Sequence, residues 1–246
     1  MVGMKEKLRV CWMSAGVSSF MAGYLAGNVD EWIYIDIQDQ HSDSMRFIKD
    51  CEKVIGKKVT ILTPEYGDVE TACRIGGFIN RPQIGAYCTK YLKKRVRKQW
   101  EYEHQSYEIT YIWGYDAKEQ HRAERTVETY PQFHHEFPLI ERYLSKQDCH
   151  AMIDNLGIKR PVMYDMGYPN NNCIGCVKGG MGYWNKIRID FPEVFEKRAK
   201  LERDLGCSCI NGVFLDELAP DRGRMDMEIF PDCSIMCYLA DDGSIN

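Results

Sequence analysis

Two features of this sequence can do chemistry: its thiols, and a turn of small residues that follows a strand. Gly167–Cys176 reads GYPNNNCIGC. Cys173 and Cys176 are spaced as C-x-x-C in a Gly/Asn/Pro loop of the kind expected at a surface. Such a turn aims both sulfurs at one point, which suits a metal ion or a cluster. One pair is half a site, so partners must come from elsewhere in the chain. The second feature is Leu8–Ser19, LRVCWMSAGVSS. It reads as a strand running into Ser14-Ala15-Gly16-Val17-Ser18-Ser19, with apolar Phe20–Ala26 following at helical spacing. The free N–H groups and dipole of a helix N-terminus make a seat for an anion, and small side chains let a phosphate come close. Ser14 and Ser19 add hydroxyl donors. An ordinary Ser/Gly-rich βα turn has the same composition, so the rest of the chain must decide.

The elements that would position these residues follow from composition and pattern. A chain of 246 residues with 44% hydrophobic content can bury a full core, as one elaborated domain or two small ones. No run approaches the roughly 18 apolar residues of a membrane span. The start, MVGMKEKLRV, has charges but no apolar h-region, so no signal peptide is expected. Eleven cysteines without an export signal point to reduced thiols and a cytoplasmic protein, some thiols serving as ligands or nucleophiles. The net charge of −4 gives no global attraction to nucleic acid, so any such affinity needs a local patch.

Glu31–Ile37 reads as a second strand ending near Asp36. His41–Ile55 follows as a helix with Met45, Phe47, Ile48, Cys51, Val54 and Ile55 inward, and Lys58–Thr63 as a third strand. This β-α-β-α-β order predicts an α/β fold with a doubly wound, mostly parallel five-stranded sheet and helices on both faces. Ligands of such sheets sit beyond the carboxyl ends of the strands, where Ser14–Ser19 and Asp36 both fall. Glu65–Ala86 has little periodicity and reads as a mobile loop over the site. Ala86–Tyr102 reads as a helix carrying Cys88 and a basic face of Lys90, Lys93, Lys94, Arg97 and Lys98. That face is a solvated surface or a contact for phosphates of a nucleotide or nucleic acid. Glu108–Gly114 is a fourth strand, followed by a charged helix over Tyr115–Arg125. A fifth strand is weakly signalled near Phe133–Phe137. Ser145 caps a helix to Leu156, and Gly179–Gly182 reads as continuing loop. Asp190–Leu205 is a helix with Pro192 in its first turn and Gly206 past its end. His41 and His121 fall at the ligand edge, where a substrate contact is open to them. His134-His135 reads as surface.

In order along the chain, these segments resemble the PP-loop adenine-nucleotide enzymes and, within them, the phosphoadenosine phosphosulfate (PAPS) reductase family. Ser14–Ser19 resembles that superfamily's SGGxxS loop, with Ala15 where glycine is usual and Ser18 where several ATP-cleaving members carry aspartate. Asp36 with Ser44-Met45-Arg46-Phe47 is similar to the segment that receives adenosine. Gly114 through Arg122 resembles the segment that contacts the substrate's acidic groups, and Pro138-Leu139 the short PL motif before the next helix. Cys88-Thr89 is similar to the Cys-Cys that opens an iron–sulfur site, minus one cysteine. Tyr164–Cys176, YDMGYPNNNCIGC, resembles the reductases' tyrosine, Gly-Tyr and CxxC run.

The resemblance implies a nucleotide-binding domain over residues 1–160 with an adenine nucleotide alpha hydrolase-like fold. Residues 161–246 would form a cysteine-rich loop, helix and tail packed on it. It implies that Ser14, Ala15, Gly16, Ser18, Ser19, Asp36, Gly114 and Arg122 bind the nucleotide, which is PAPS, adenosine phosphosulfate (APS), or ATP with magnesium. Cys88, Cys173 and Cys176 would hold an iron–sulfur cluster of the 4Fe–4S type, with zinc as the alternative. The fourth position is open or closed by Cys207, Cys209, Cys233 or Cys237. Asp232-Cys233-Ser234-Ile235-Met236, after Arg222-Gly223-Arg224, is loosely similar to the reductases' nucleophilic tail and makes Cys233 the candidate catalytic thiol. Three functions stay open: thiol-dependent reduction of a sulfonucleotide, with a reductant such as thioredoxin; ATP-dependent, cluster-assisted sulfur transfer to a nucleic acid; and a non-catalytic nucleotide- or metal-binding module.

Overall fold

The structure is a computed structural model, and it describes residues 5–81, 85–227 and 235. The chain begins β1 (Glu6–Met13), α1 (Val17–Ala26), β2 (Glu31–Ile35), α2 (Asp43–Ile55) and β3 (Val59–Leu62). Then come α3 (Val69–Gly76), the two-residue strands β4 (Asn80–Arg81) and β5 (Gly85–Ala86), α4 (Tyr87–Thr89), a π-helical turn Lys90–Lys94 and α5 (Arg95–Glu103). The second half holds β6 (Tyr107–Ile112), α6 (Gln120–Thr129), β7 (His134–Glu136), α7 (Pro138–Glu141), α8 (Lys146–Asn155) and α9 (Val162–Asp165). It closes with α10 (Met181–Asp190), α11 (Pro192–Leu205) and short turns at Leu215–Glu217 and Met225–Met227.

Five strands pair in the order β3-β2-β1-β6-β7, all parallel, with Cys11 opposite Trp32 and Ile112. This is the doubly wound α/β fold expected from the pattern. Val10–Met13 and Trp32–Ile35 are buried without a break, as strands covered on both faces must be. Helix α1 is apolar nearly all round, and its Val17, Phe20, Met21 and Ala22 join Met13, Trp32 and Phe47 in the core. No helix among the described residues is long and apolar enough to cross a membrane.

The chain divides into two compact units. One holds the described residues as far as Asp36, with His41–Leu62 and Trp100–Asn171, and therefore the whole five-stranded sheet. The other holds Ile37–Gln40, Thr63–Gln99 and the described residues from Asn172 onward.

Several elements depart from expectation. Glu65–Ala86 is not a plain loop: α3 forms inside it because Asp68 caps the Thr71 N–H and Gly77 closes the C-terminus at φ +71°. The basic face is not one solvated stripe. The π turn adds a residue to the winding, and Lys94 and Arg97 are buried at 2% and 1% exposure. Val54 faces outward at 36%, and the charged helix starts only at Gln120. Gly180–Gly182 opens α10 rather than prolonging the loop. The weakly signalled fifth strand is real, pairing Tyr111 with His135.

His135 is not a surface group. Its Nδ1 accepts from the Trp113 indole N–H at 3.0 Å, so the ring proton sits on Nε2, 2.9 Å from the Tyr130 carbonyl. Burial holds its pKa below the ordinary histidine value, partly offset by the Tyr130 carbonyl. The neutral ring therefore contributes stability that is complete above the unfolded value, about pH 6.5, and is lost as pH falls through the lower folded value. In urea unfolding between pH 8 and 5, wild type should lose stability relative to His135→Gln as acid is added. Parallel curves would contradict this.

Candidate functional site

In the sheet-bearing unit, strand order reverses between β1 and β6, and this switch point is where doubly wound sheets bind ligands. The turn after β1 is Ser14–Gly16, and Gly16 caps α1 without a side-chain bond. No acidic residue stands in the first turn of α1, so its dipole is uncompensated. The Ser19 hydroxyl accepts from the Ser14 N–H (3.1 Å), donates to the Gly16 carbonyl (3.0 Å) and lies 3.2 Å from the Ser14 hydroxyl. The two serines thus fix the turn from within. Ala15 is held at φ +54°, a left-handed conformation that explains glycine at this place in the resembling loop. Ser18 is half-buried in the first turn of α1.

Gly114 follows β6 and lies against this turn. A methyl built on it would stand 2.6 Å from the Ser19 N and Cα atoms. Asp36 follows β2 at the same carboxyl edge, its N–H donating to the Leu62 carbonyl at 2.9 Å. On another side of the turn, the Tyr164 hydroxyl accepts from the Val17 N–H at 3.4 Å, and burial pushes its pKa up to about 12. Asn171 donates to the Ala15 carbonyl and to the Ser44 hydroxyl, both at 2.9 Å. Arg122 pairs with Glu119 and stacks over the Tyr115 ring, 4.3 Å from its centroid.

Lys146 carried no sequence signal. It opens α8, its ammonium donates to Asn170 Oδ1 at 2.5 Å, and burial lowers its pKa, opposed by Glu119 and Asp116. The resemblance pointed to Arg122 as a cation for the substrate; Lys146 is electrostatically coupled to it and to those two acids. His41 has a local task, its Nδ1 accepting the Asp43 N–H at the start of α2 (3.1 Å). His121 is exposed on α6.

Of the described cysteines, the second unit holds Cys73, Cys88, Cys173, Cys176, Cys207 and Cys209. Cys88, Cys173 and Cys176 line one cavity of about 20 Å³ with Ile37, Val69, Leu92, Lys93, Asn172 and Val177. The C-x-x-C loop is buried rather than exposed, all three thiols being at or below 9% exposure. Gly175 makes the turn at φ +68°, where Val194 Cγ1 leaves no room for a side chain. The Tyr183 hydroxyl accepts from the Cys176 N–H (2.8 Å) and donates to the Cys173 carbonyl (3.2 Å). Asp39 braces the same loop, its carbonyl accepting the Ile174 N–H at 2.7 Å while its carboxylate takes the Val69 N–H and Arg198. Sulfur donors in this number fit a soft metal or an iron–sulfur cluster by chemistry. Among the described residues, no three His, Cys, Asp or Glu side chains stand in a geometry that would hold a single ion.

Tyr183 positions this loop through both cysteines' backbone. Were a metal held by Cys88, Cys173 and Cys176, Tyr183→Phe should weaken its retention about 10–100-fold, the effect of losing a partner that orients ligands. Competition with a chelator, followed by the visible spectrum or zinc release, checks it. Equal retention in the variant would contradict the role.

Two further cysteines, Cys73 and Cys209, are buried beside Arg198, and burial pushes the Cys73 pKa up to about 12. No disulfide joins any described cysteine. Cys233 and Cys237 lie outside the described residues. Arg224, in the Arg222-Gly223-Arg224 segment that precedes Cys233 in sequence, pairs with Asp226 at 2.6 Å.

No protein-family model matches the chain, and no curated protein matches it.

Proposed function

We propose that the protein is a PAPS reductase-like enzyme that binds an adenine nucleotide at the Ser14–Ser19 turn and reduces a sulfonucleotide with thiols. The observation that carries the proposal is that Cys88, Cys173 and Cys176, distant in sequence, line one cavity. The β1–β6 switch point, with Gly114 against the turn, supports the nucleotide half.

In this proposal the turn and the α1 amides hold phosphate, and Asp36 and Ser44 flank the adenosine. Arg122 and Lys146 supply the cations for the substrate's acidic groups. The Cys233 thiolate attacks the sulfonate sulfur; an S–O bond breaks, and its electron pair leaves on the nucleotide phosphate. Cys233 then carries an S-sulfonate. A dithiol reductant such as thioredoxin attacks Cys233 Sγ, sulfite leaves with the S–S electron pair, and the second reductant thiol resolves the mixed disulfide. The reductant is oxidised to a disulfide and the substrate sulfur is reduced by two electrons. A 4Fe–4S cluster, held by Cys88, Cys173 and Cys176, would supply a charged redox-active centre.

The test is sulfite release from APS or PAPS by anaerobically prepared protein with a dithiol. Release that disappears in Cys233→Ser supports the proposal. Metal-replete protein that yields no sulfite from either compound overturns it.

One observation favours sulfur transfer to a nucleic acid instead. Arg81 lies over Phe78 (4.4 Å), Lys90 over Tyr87 (5.8 Å) and Arg95 over Tyr66 (5.4 Å). Alternating cations and rings are what single-stranded nucleic acids bind. Pyrophosphate release from magnesium-ATP, stimulated by RNA or DNA, would select this second reading.

A further inference from the structure

Four rings of the second unit run in one unbroken row. From centroid to centroid, Phe78 lies 4.1 Å from Tyr87, Tyr87 5.4 Å from Tyr91, and Tyr91 5.2 Å from Tyr66. Cations lie over three of the four: Arg81 over Phe78 at 4.4 Å, Lys90 over Tyr87 at 5.8 Å and Arg95 over Tyr66 at 5.4 Å. Phe78 is buried and the three tyrosines are half-buried, whereas Arg81 and Arg95 are exposed. The rings are thus a floor, and the arginines are its outer layer.

Charge is segregated on the same stretch. Phe78–Gln99 holds seven cations and no acid, in a chain whose net charge is −4. Lys94 and Arg97 are buried, which leaves Arg81, Lys90, Lys93, Arg95 and Lys98 exposed or half-buried. Glu65 enters from the loop before α3, 3.0 Å from Arg95, and offsets one of these charges. The Arg95 guanidinium also donates to the Tyr66 hydroxyl at 2.9 Å, which holds it at its ring.

A row of positive charge suits a polymer with regularly spaced negative charge. The arginines add a second demand. A guanidinium with one face on a ring turns its other face outward, a plane on which a base stacks, while its N–H edge serves phosphate. In a duplex the base faces are already stacked on one another, so a single strand is what can use such planes. An acidic peptide offers carboxylates to the charges but no succession of flat rings.

We propose that the row from Tyr66 to Arg95 is a binding surface for single-stranded nucleic acid, with bases on the Arg81 and Arg95 guanidinium planes and phosphate at Lys90. This goes beyond sulfonucleotide reduction, which needs no polymer, and is separate from whatever reaction occurs at the Ser14–Ser19 turn.

The experiment follows fluorescence anisotropy of labelled oligothymidine, oligouridine and a DNA duplex, each of roughly 12 nucleotides per strand, on the intact protein without nucleotide. At least one single strand should bind about tenfold or more tightly than the duplex; which of the two binds better says whether DNA or RNA is preferred. Three neutralised phosphates give a log–log salt slope of about −2. Arg81→Gln and Arg95→Gln should each weaken binding and reduce that slope by about 0.7. Arg81→Lys and Arg95→Lys keep the charge and lose the plane, so affinity should fall about fivefold or more at an unchanged slope. Both side chains are exposed, so these substitutions leave the fold intact. Lys49→Gln, at an exposed cation of α2 in the other unit, should change nothing. Absence of single-strand binding at low salt overturns the proposal. So do duplex bound as tightly as single strand, displacement by polyglutamate at equal charge concentration, and lysine variants that bind like wild type. A loss in Lys49→Gln equal to that in Arg81→Gln would show diffuse attraction in place of a surface, and overturns it too.

Discussion

Gly114→Ala should destabilise the protein by about 1–3 kcal/mol, the range for forcing atoms into a packed site, and weaken nucleotide binding at the proposed seat. The added methyl would stand 2.6 Å from two backbone atoms of Ser19 and 2.9 Å from the Ser18 carbonyl carbon. Backbone cannot rotate away as a side chain can. Either β6 is pushed from β1, its partner along Glu6–Cys11, or the first turn of α1 moves. The strand pairing is the more extensive interaction, so the helix start moves and takes the α1 amides of the proposed seat with it. A shift of this kind should lower affinity by about tenfold to a hundredfold, or about 1.4 kcal/mol per decade. Urea unfolding and nucleotide titration on the same variant check the two parts. Wild-type stability and affinity would show that this close approach does not organise the seat.

If the proposed cavity site holds metal, replacing Cys88, Cys173 or Cys176 singly by serine should remove most of it. Each lines the same cavity, and a hydroxyl is a poor ligand for soft metals. Cys51→Ser and Cys149→Ser are the controls, because those thiols are buried in the other unit. Iron, zinc and sulfide counts with the absorption spectrum, all under anaerobic conditions, separate the two sets. Equal metal content in all five variants would show that the cavity is packing and not a site.

Parts of the fold were legible because parallel strands leave a strong trace. Val10–Met13 and Trp32–Ile35 are buried on both faces, and short apolar runs separated by helical periods suit few folds besides a parallel α/β sheet. The 146–155 and 192–205 helices were legible from their ends: Ser145 forms a full capping box, and Gly206 closes α11 at φ +64°. Helices α3 and α10 were hidden by the glycines at their ends, which resemble loop composition but serve as caps. The π turn was hidden for another reason. It buries Leu92 and Lys94 together, and no local period in the sequence encodes its extra residue.

The site divides in the same way. Ser14–Ser19, Gly114 and the cysteine spacing were readable because chemistry and backbone geometry demand those residue types locally. The bridges of Asn171 to Ala15 and Ser44, the clustering of Lys146 with Asp116 and Glu119, and the Tyr183 brace each join residues that only tertiary structure brings together. An asparagine in an Asn-Asn-Asn run has nothing in the sequence to single it out.

The most direct test is thermal unfolding of the anaerobically prepared protein with ATP, APS or PAPS. A nucleotide held at the Ser14–Ser19 turn, at a hundred times its Kd, should add about 2.7 kcal/mol of stability. For a chain of this size that raises Tm by about 5–10 °C, and at the same ligand concentration the shift should fall to about half or less in Gly114→Ala. If none of the three nucleotides moves the transition at millimolar concentration, the turn is not a nucleotide seat.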